Sequence, residues 1–486
     1  MRGARRKTVL LLTGLCVVLF AGYALTLRGR RLQPRKVVTL LGERRLLPKK
    51  PAAFRLVGWD LKWERELPLS RVDLELVRKP GQTVALARSY PKSPVVDLNV
   101  RLPDWPRGPA TLRARVETEL GEIVIEAPVE LDPQAASRLR LVPPSQELKK
   151  APVIIQQGSG AGVEGGDPEK APAGMVFFPL GGSVSSSFPS RILIRILDRN
   201  NRPASGDLQV GEQKASPADE EGFVEVVTRP GGSPGKLRLS FKGPEGSLDG
   251  EVKLLSTPAQ IDAAVGGLLV PAGRPLAVQV RSMSASAALH LDAWWSGGWC
   301  FSGGVKSEDG RATAVVNVPA GIEGPMVIRV QGDPFGQGSA VREVGVIAGR
   351  GRPPSHAEGW AFLRRMPADQ GFWNQARGIG GGPRGLQALL SRVRAPAGPL
   401  PELADSSARE AQAIAGRKAD LIAFGRGMVA VTSGVIWLAV AGLLLSAVRK
   451  TPREQRRRSL ITALTALAVC GVALGGGLFW LFLLGG

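Results

Sequence analysis

Apolar residues concentrate at the two ends of this chain, whereas apolar and polar residues alternate through most of its middle. Three stretches of twenty or more residues carry no charge, and they cover residues 8–27, 427–448 and 459–486. An α-helix of about 20 residues rises about 30 Å, which is the thickness of the hydrocarbon core of a bilayer. The pattern therefore predicts three transmembrane helices. Residues 1–27 would comprise a short cytoplasmic tail and the first of these helices.

The alternating middle of the chain falls into three blocks, at residues 51–142, 176–258 and 259–348. Segments such as RVDLELV at 71–77 and KLRLSF at 236–241 place an apolar residue at every second position. Period two, interrupted by Pro and Gly, is typical of antiparallel strands with one buried face. Many short strands in each block predict three tandem β-sandwiches and a mainly β fold.

A repeated corner supports three similar units. Each block contains, late in its sequence, a Pro that ends one strand and a Gly five residues later that begins the next, at 103–108, 230–235 and 319–324. Proline cannot donate to a strand ladder, and glycine permits the backbone reversal that the corner needs. The three blocks are therefore predicted to share one module.

Three further segments separate these blocks from the membrane and from one another. Residues 28–50 are predicted to be a basic juxtamembrane segment, and the Pro- and Gly-rich residues 143–175 a linker. Residues 349–426 are predicted to be a second linker followed by a helical stalk. Acidic and hydroxyl residues from Asp405 onward are typical of a helix start, and this helix should continue into the second span.

Basic residues set the predicted topology. The net charge of the chain is +22, and the short segment between the second and third spans is strongly basic. Short basic loops stay in the cytoplasm, so residues 28–426 are expected on the periplasmic side of a three-pass protein of a bacterial membrane, most simply the inner one. The first span is expected to be an uncleaved anchor, although Gly22 and Ala24 leave a cleaved signal peptide open. The residues expected to face the cytoplasmic membrane surface are Arg449, Lys450, Arg453, Arg456, Arg457 and Arg458.

The charge and the rare reactive residues argue against several function classes. Most of the positive charge lies beside the predicted spans, where it meets lipid head groups, and no basic stripe with aromatic residues points to nucleic acid. The two histidines, His290 and His356, have no Cys or His partner at the spacing of metal ligands. Cys300 stands between Trp299 and Phe301 and is expected to be a buried thiol. The sequence therefore predicts a protein that binds no metal and no cofactor and is not an enzyme.

The motif LDAWWSGGWCF contains the candidate binding residues of the chain, Trp294, Trp295 and Trp299. Adjacent residues of a strand point to opposite faces, so one of the first two indoles must leave the core of its own sandwich. That indole either packs under a neighbouring domain or belongs to a face that binds a protein or a glycan. The sequence leaves open which of the two tryptophans points outward.

The segment RILIRILDRNNRPASGDLQV at 191–210, followed by DEEGFV at 219–224, resembles macroglobulin-like and bacterial Ig-like sandwich modules. A strand, a D-x4-P turn, a second strand and a later acidic Gly-Phe corner recur in those modules. The thioester motif of the macroglobulins is missing, so the resemblance implies no covalent trapping of proteases. The membrane arrangement resembles that of envelope proteins of Gram-negative bacteria.

These observations lead to one expected function and two alternatives. We expect a non-enzymatic, membrane-anchored binding or scaffold protein of the cell envelope. Its expected partners are the lipid bilayer and another envelope protein or a glycan. The alternatives are an accessory subunit of a transport or secretion assembly, and an enzyme subunit whose site the sequence does not reveal.

Overall fold

The computed structural model divides the chain into two compact units. The helical unit comprises residues 1–37, 60–65 and 406–486, and the β unit comprises residues 38–59 and 66–405. The residues that the structure describes are 14–15, 17–28, 36–79, 81–134, 139–142, 172–181, 184–185, 187–228, 236–253, 256–257, 260–336, 341–370, 372–376, 379–396, 398–450, 452, 455, 457–462, 464–465 and 468.

The first sandwich follows an apolar helix, α1 (Val17–Arg28). One of its sheets contains β1, β3, β4 and β7, and the other has the order β2-β9-β8-β5-β6. Alternate side chains of β5, β8 and β9 are buried, as period two requires, and they form the core between the two sheets. The strands are β1 (Lys36–Leu41), β2 (Arg45–Leu46), β3 (Pro51–Asp60), β4 (Arg65–Glu66), β5 (Leu69–Lys79), β6 (Gln82–Ser89), β7 (Val95–Arg101), β8 (Gly108–Thr118) and β9 (Gly121–Leu131).

The second sandwich has its own core between the sheets β11-β13-β16 and β15-β14-β17-β18. The predicted linker before it lies mostly outside the described residues, as does its Pro230–Gly235 corner. The short strand β10 precedes this sandwich and pairs with residues 393–394, outside it. The strands are β10 (Arg140–Leu141), β11 (Pro172–Pro179), β12 (Val184–Ser185), β13 (Ser190–Asp198), β14 (Asp207–Val210), β15 (Ser216–Pro217), β16 (Phe223–Thr228), β17 (Lys236–Gly243), β18 (Gly246–Lys253) and β19 (Ser256–Thr257).

The third sandwich packs the sheet β20-β22-β25 against the sheet β21-β27-β26-β23-β24. Its core is again separate, so each of the three alternating blocks forms a sandwich and the fold is mainly β, as predicted. The strands are β20 (Ile261–Val265), β21 (Leu269–Pro271), β22 (Pro275–Ser282), β23 (Ala288–Trp295), β24 (Gly298–Lys306), β25 (Arg311–Asn317), β26 (Gly324–Gln331) and β27 (Val341–Gly349).

The predicted corners are visible in the first and third sandwiches. Gly108 opens β8 with φ of 148°, and Gly324 opens β26 with φ of 102°. Both angles lie in a region that residues with a Cβ rarely adopt. The backbone conformation therefore requires glycine at both corners. The sequence pattern indicates the same reason, a backbone reversal that glycine permits.

Residues 349–405 are part of the β unit, which corrects the prediction of a linker and stalk. They form α2 (His356–Arg364), α3 (Phe372–Gln375), α4 (Pro383–Leu390), β28 (Val393–Arg394) and β29 (Glu402–Asp405). Their apolar side chains share one buried cluster with residues of all three sandwiches. The Ser355 hydroxyl and the Glu358 carboxylate cap the start of α2 reciprocally, and His356 is the first residue of this helix.

The start of the first sandwich also differs from the prediction of a basic juxtamembrane segment at 28–50. β1 pairs antiparallel with β29, with Leu40 opposite Ala404, and Leu40 is fully buried. The partner strand lies at the other end of the β unit in sequence, so no local pattern could indicate the pairing. Residues 38–50 therefore belong to the β unit rather than to a separate basic segment.

Helix α4 is held against the second sandwich by a carboxylate. Glu221 accepts hydrogen bonds from the backbone amides of Gly382 and Gly385, at 2.9 and 3.2 Å. In the opposite direction, the Arg384 guanidinium group donates to the Phe223 carbonyl oxygen at 3.0 Å and lies 3.2 Å from the Asp219 carboxylate. The first amides of a helix have no partner within the helix and favour negative charge, so the Glu221 corner fits this end of α4.

The helical unit contains one long helix, α5 (Ser407–Arg449), which begins where the sequence predicted a helix start. Helix α1 packs closely on it, because a Cβ added to Gly22 would lie 3.0 Å from the Gly425 carbonyl oxygen. Of the described helices, only α5 is long and apolar enough to cross a membrane. The described part of the first predicted span forms the shorter α1, and most of the third predicted span lies outside the described residues.

Candidate functional site

A buried ion network joins the first and third sandwiches. Arg55 on β3 stands opposite Asp97 on β7, and Asp292 on β23 stands opposite Ser302 on β24. Each pair forms within its own sheet, and β7 packs against β24, so the two pairs meet at the junction of the sandwiches. The Arg55 and Asp292 side chains are fully buried, whereas the Asp97 side chain is 15% exposed.

Arg55 is the centre of this network. Its Nε lies 2.7 Å from Asp97 Oδ1, and its Nη2 donates to Asp292 Oδ1 at 2.9 Å and to Ser302 Oγ at 2.8 Å. Its Nη1 donates to the Pro334 carbonyl at 2.9 Å. A guanidinium group offers five donors in a planar fork, and this arrangement uses all three of its nitrogens. The Arg55 side chain therefore connects both sandwiches to the backbone at Pro334.

Asp292 and Ser302 also form hydrogen bonds with residues other than Arg55. Gln331 Nε2 donates to Asp292 Oδ2 at 2.6 Å. The Asn99 side chain forms two hydrogen bonds of 2.8 Å with the Ser302 backbone, one with the carbonyl oxygen and one with the amide. The Ser302 hydroxyl donates to Asp97. These contacts fix β7 of the first sandwich against β24 of the third.

The charges of the network do not cancel, because one guanidinium group faces two carboxylates. Burial raises the pKa of Asp292 to about 6, although the positive charge of Arg55 acts in the opposite direction. His290 lies two residues away on the same strand, and burial, followed by the charge of Arg55, lowers its pKa to about 4. Loss of Arg55 would therefore remove the cation that both carboxylates contact and would raise the pKa of Asp292 further.

The side chains of all three candidate tryptophans are buried. Trp295 lies in the core of the third sandwich, whereas Trp294 and Trp299 belong to the cluster shared with the other domains. Trp294 and Trp299 stack at 6.1 Å between ring centroids, and the Arg55 guanidinium lies 5.6 Å from the Trp299 ring. Packing under neighbouring domains thus accounts for Trp294, and partner binding by these residues stays a prediction.

An open groove lies beside the junction and has a volume of about 460 Å³. Its lining combines apolar surface with two guanidinium groups and two exposed amides, those of Asn99 and Asn317. The residues that line it include Pro51, Arg101, Arg274, Cys300, Asn317 and Pro319. Both sandwiches contribute to it.

The contacts of Cys300 and Asp198 stabilise the local fold and do not indicate a reactive site. The Cys300 thiol is buried, as predicted, and donates to the Ala293 carbonyl at 3.3 Å, and burial raises its pKa. The Asp198 carboxylate accepts from the amides of Asn200 and Arg202 at 2.8 and 2.7 Å, which stabilises a turn. Among the described residues no group of three His, Cys, Asp or Glu side chains is placed to hold a metal ion.

The basic residues predicted to face the membrane surface lie at and after the end of α5. Arg449 is the last residue of the helix and Lys450 follows it. Arg457 and Arg458 begin a further helical segment, whereas Arg453 and Arg456 lie outside the described residues. Their predicted role in membrane orientation remains a prediction.

Sequence reasoning did not identify the Arg55 network. The signal was a charged residue inside an apolar strand, in AAFRLVG at 52–58 and in ALHLDAWW at 288–295. Such a residue requires a buried partner, because an isolated buried charge is very costly. Asp292 and Ser302 are more than 200 positions from Arg55 in sequence, so this part of the pairing could be found only from the fold.

Comparison with known proteins gives weak likenesses. No protein-family model and no curated protein sequence matches the chain. The chain is similar to the native alpha-2-macroglobulin of E. coli over 65% of its own length and 22% of that chain, with 12% identity and a TM-score of 0.17. It is similar to dimeric latent PorU from Porphyromonas gingivalis over 65% of its length and 34% of that chain, with 10% identity and a TM-score of 0.22.

A smaller likeness concerns a superoxide reductase (neelaredoxin) from Ignicoccus hospitalis. It covers 20% of this chain and 83% of that chain, with 13% identity and a TM-score of 0.17. TM-scores this low carry no argument about fold or function. The detailed macroglobulin-like topology of the modules therefore stays a prediction.

Proposed function

We propose that this chain is a non-enzymatic binding or scaffold protein, anchored in a bacterial membrane, with its β unit on the extracytoplasmic side. The observation that carries the binding role is the open groove between the first and third sandwiches. A groove formed by two domains keeps its shape only if the domains stay in place. The buried Arg55 network supplies that constraint, since it ties both sandwiches through charged hydrogen bonds.

The anchoring role is supported by the surface of α5. Large apolar side chains on this helix are strongly exposed, including Val431 at 69%, Leu438 at 65% and Leu445 at 57%. These three residues are seven positions apart, so they form one apolar stripe along the helix. An exposed stripe of this kind is unfavourable in water and favourable in the hydrocarbon core of a bilayer.

The proposed partner is a segment of another envelope protein or a glycan. Arg101 and Arg274 place two cations at the groove, which favours a ligand with carboxylate or other anionic groups. Apolar surface from Pro51 and Pro319 suits the neutral parts of the same ligand. The groove thus offers the mixture of apolar area and a few oriented polar groups that is usual for binding sites.

A photoreactive amino acid in place of Arg274 tests the binding role in intact cells that make the full chain. We expect one discrete adduct of higher mass on irradiation, because residue 274 lines the groove that the partner would occupy. The matched control carries the same amino acid in place of Met283, which is 64% exposed on the same sandwich but does not line the groove.

A blocking variant sharpens this test. The substitution Ala320→Trp adds a large side chain to the groove lining and should abolish the adduct at position 274. Equal adducts at positions 274 and 283, or an adduct at 274 that persists in the blocked variant, would contradict the groove as the binding face. The absence of any adduct at 274 would do the same.

A further inference from the structure

The turn between β3 and β4, residues 60–65, has an unusual distribution of side chains. Leu61 is 44% exposed and Trp63 is 58% exposed, whereas Asp60 is fully buried. Asp60 Oδ1 accepts a hydrogen bond from the Lys62 amide at 3.0 Å, and Arg65 Nε lies 3.8 Å from Asp60 Oδ2. The acidic side chain thus stabilises the turn from inside, and the apolar side chains point outward.

The hydrogen bond from the Lys62 amide to Asp60 is an ordinary Asx turn, whereas the two exposed apolar side chains are unusual. Turns between strands usually expose short polar side chains. Here the Lys62 ammonium group lies 4.7 Å from the centre of the exposed Trp63 ring, so an apolar ring and a cation form one exposed feature. Tryptophan and lysine together are typical of the layer where a membrane meets water, because each combines an apolar body with a polar tip.

The position of the turn in the fold indicates which surface it meets. Residues 60–65 belong to the helical unit, together with α1 and α5, and not to the β unit that contains the strands on either side. That unit also carries the exposed apolar stripe of α5. A bilayer that accommodates α5 would therefore be the apolar surface available to the same compact unit.

We propose that the 60–65 turn rests in the head-group layer of the membrane that α5 crosses. Leu61 and the Trp63 ring lie at the boundary with the acyl chains, while Lys62 faces the lipid phosphates. The proposal rests on the proposed membrane anchoring through α5. The two acidic and two basic residues of the turn balance, and Arg65 lies near Asp60, so Lys62 beside the exposed Trp63 ring is the group that fits an anionic phosphate.

Depth-dependent quenching of a fluorophore in the full chain tests this proposal. The three native cysteines are replaced by alanine, and the substitution Trp63→Cys provides a single site for an environment-sensitive label. The protein is reconstituted into phosphatidylcholine and phosphatidylglycerol vesicles that carry a nitroxide either on the head group or in the middle of the acyl chain. We expect the head-group nitroxide to quench the label at position 63 several-fold more than the mid-chain nitroxide does.

Two reference positions separate the turn from the anchor. A label at Leu438→Cys on α5 should be quenched mainly by the mid-chain nitroxide, and a label at the exposed Met283→Cys by neither. A second turn variant, Leu61→Cys, keeps Trp63 in place and should behave as position 63 does.

The outcomes distinguish the two ideas. If position 438 is quenched as expected but positions 61 and 63 resemble position 283, the turn proposal is wrong and the anchoring stands. A protein partner that covers the turn in cells would give that same result in these vesicles. If position 438 is not quenched by the mid-chain nitroxide, the anchoring fails and the turn proposal fails with it.

Discussion

Replacement of Arg55 by leucine should lower the free energy of unfolding of the β unit by about 3–5 kcal/mol, because it leaves the fully buried Asp292 and the partly buried Asp97 without their cation. Urea denaturation of the fragment 36–405 measures this loss, and the fragment retains both β1 and β29. The matched control is Arg113→Leu, which breaks an ion pair with Glu126 whose two side chains are each 31% exposed. That control should lose less than about 1 kcal/mol.

The loss caused by Arg55→Leu should shrink as the pH is lowered from 7 to 5. Burial raises the pKa of Asp292 to about 6 in the intact network, and the charge of Arg55 acts to lower it. Removal of Arg55 therefore raises this pKa further, and the folded variant keeps its proton at a higher pH than the native protein does. A carboxyl with a raised folded-state pKa is more favourable to folding at low pH, and this contribution disappears as the pH rises through that pKa. Adding Asp292→Asn to the variant should recover part of the stability at pH 7. A loss no larger than that of Arg113→Leu would show that the network is not what holds the sandwiches together.

Replacement of Trp294 by alanine should cost about 3–5 kcal/mol of folding stability, the usual loss for truncation of a large buried aromatic side chain. The expected cause is a cavity in the cluster that joins the domains, together with the lost stack on Trp299. The same fragment and the same denaturation measure the effect. Trp63→Ala is the control and should change the stability by less than about 0.5 kcal/mol, because that side chain is 58% exposed.

This comparison also separates the two interpretations of the tryptophan motif. If Trp294 seals the domain junction, its loss destabilises the β unit and affects binding only through the altered groove. If Trp294→Ala instead leaves the unfolding transition unchanged and abolishes the adduct at position 274, the residue acts as a partner anchor. The second result would contradict a packing role for Trp294.

The sandwiches could be predicted from the sequence because their information is local. Alternation in strands such as β5 and β8 decides which side chains enter the core, and the glycines at 108 and 324 mark the corners. The start of α5 was equally visible, since capping residues act within one helical turn. These features depend on neighbours in sequence and need no knowledge of the rest of the fold.

The remainder depends on contacts between distant segments. β1 resembles juxtamembrane sequence because its partner, β29, follows more than 350 positions later. Residues 349–405 resemble a stalk because their short helices look weak in isolation, and only the cluster shared with three sandwiches stabilises them. The Arg55 network combines both difficulties, since each charged residue looks unfavourable until its partner in the other sandwich is known.

The central claim is that the β unit is displayed outside the cytoplasm on a membrane-spanning α5, and reporter fusions test it most directly. Alkaline phosphatase fused after Asp405 should be active, because the enzyme matures only after export. The same reporter fused after Pro452, beyond the end of α5, should be inactive, because the basic segment at 449–458 is expected to stay in the cytoplasm. An inactive fusion at 405 together with an active fusion at 452 would place the β unit in the cytoplasm and contradict this claim.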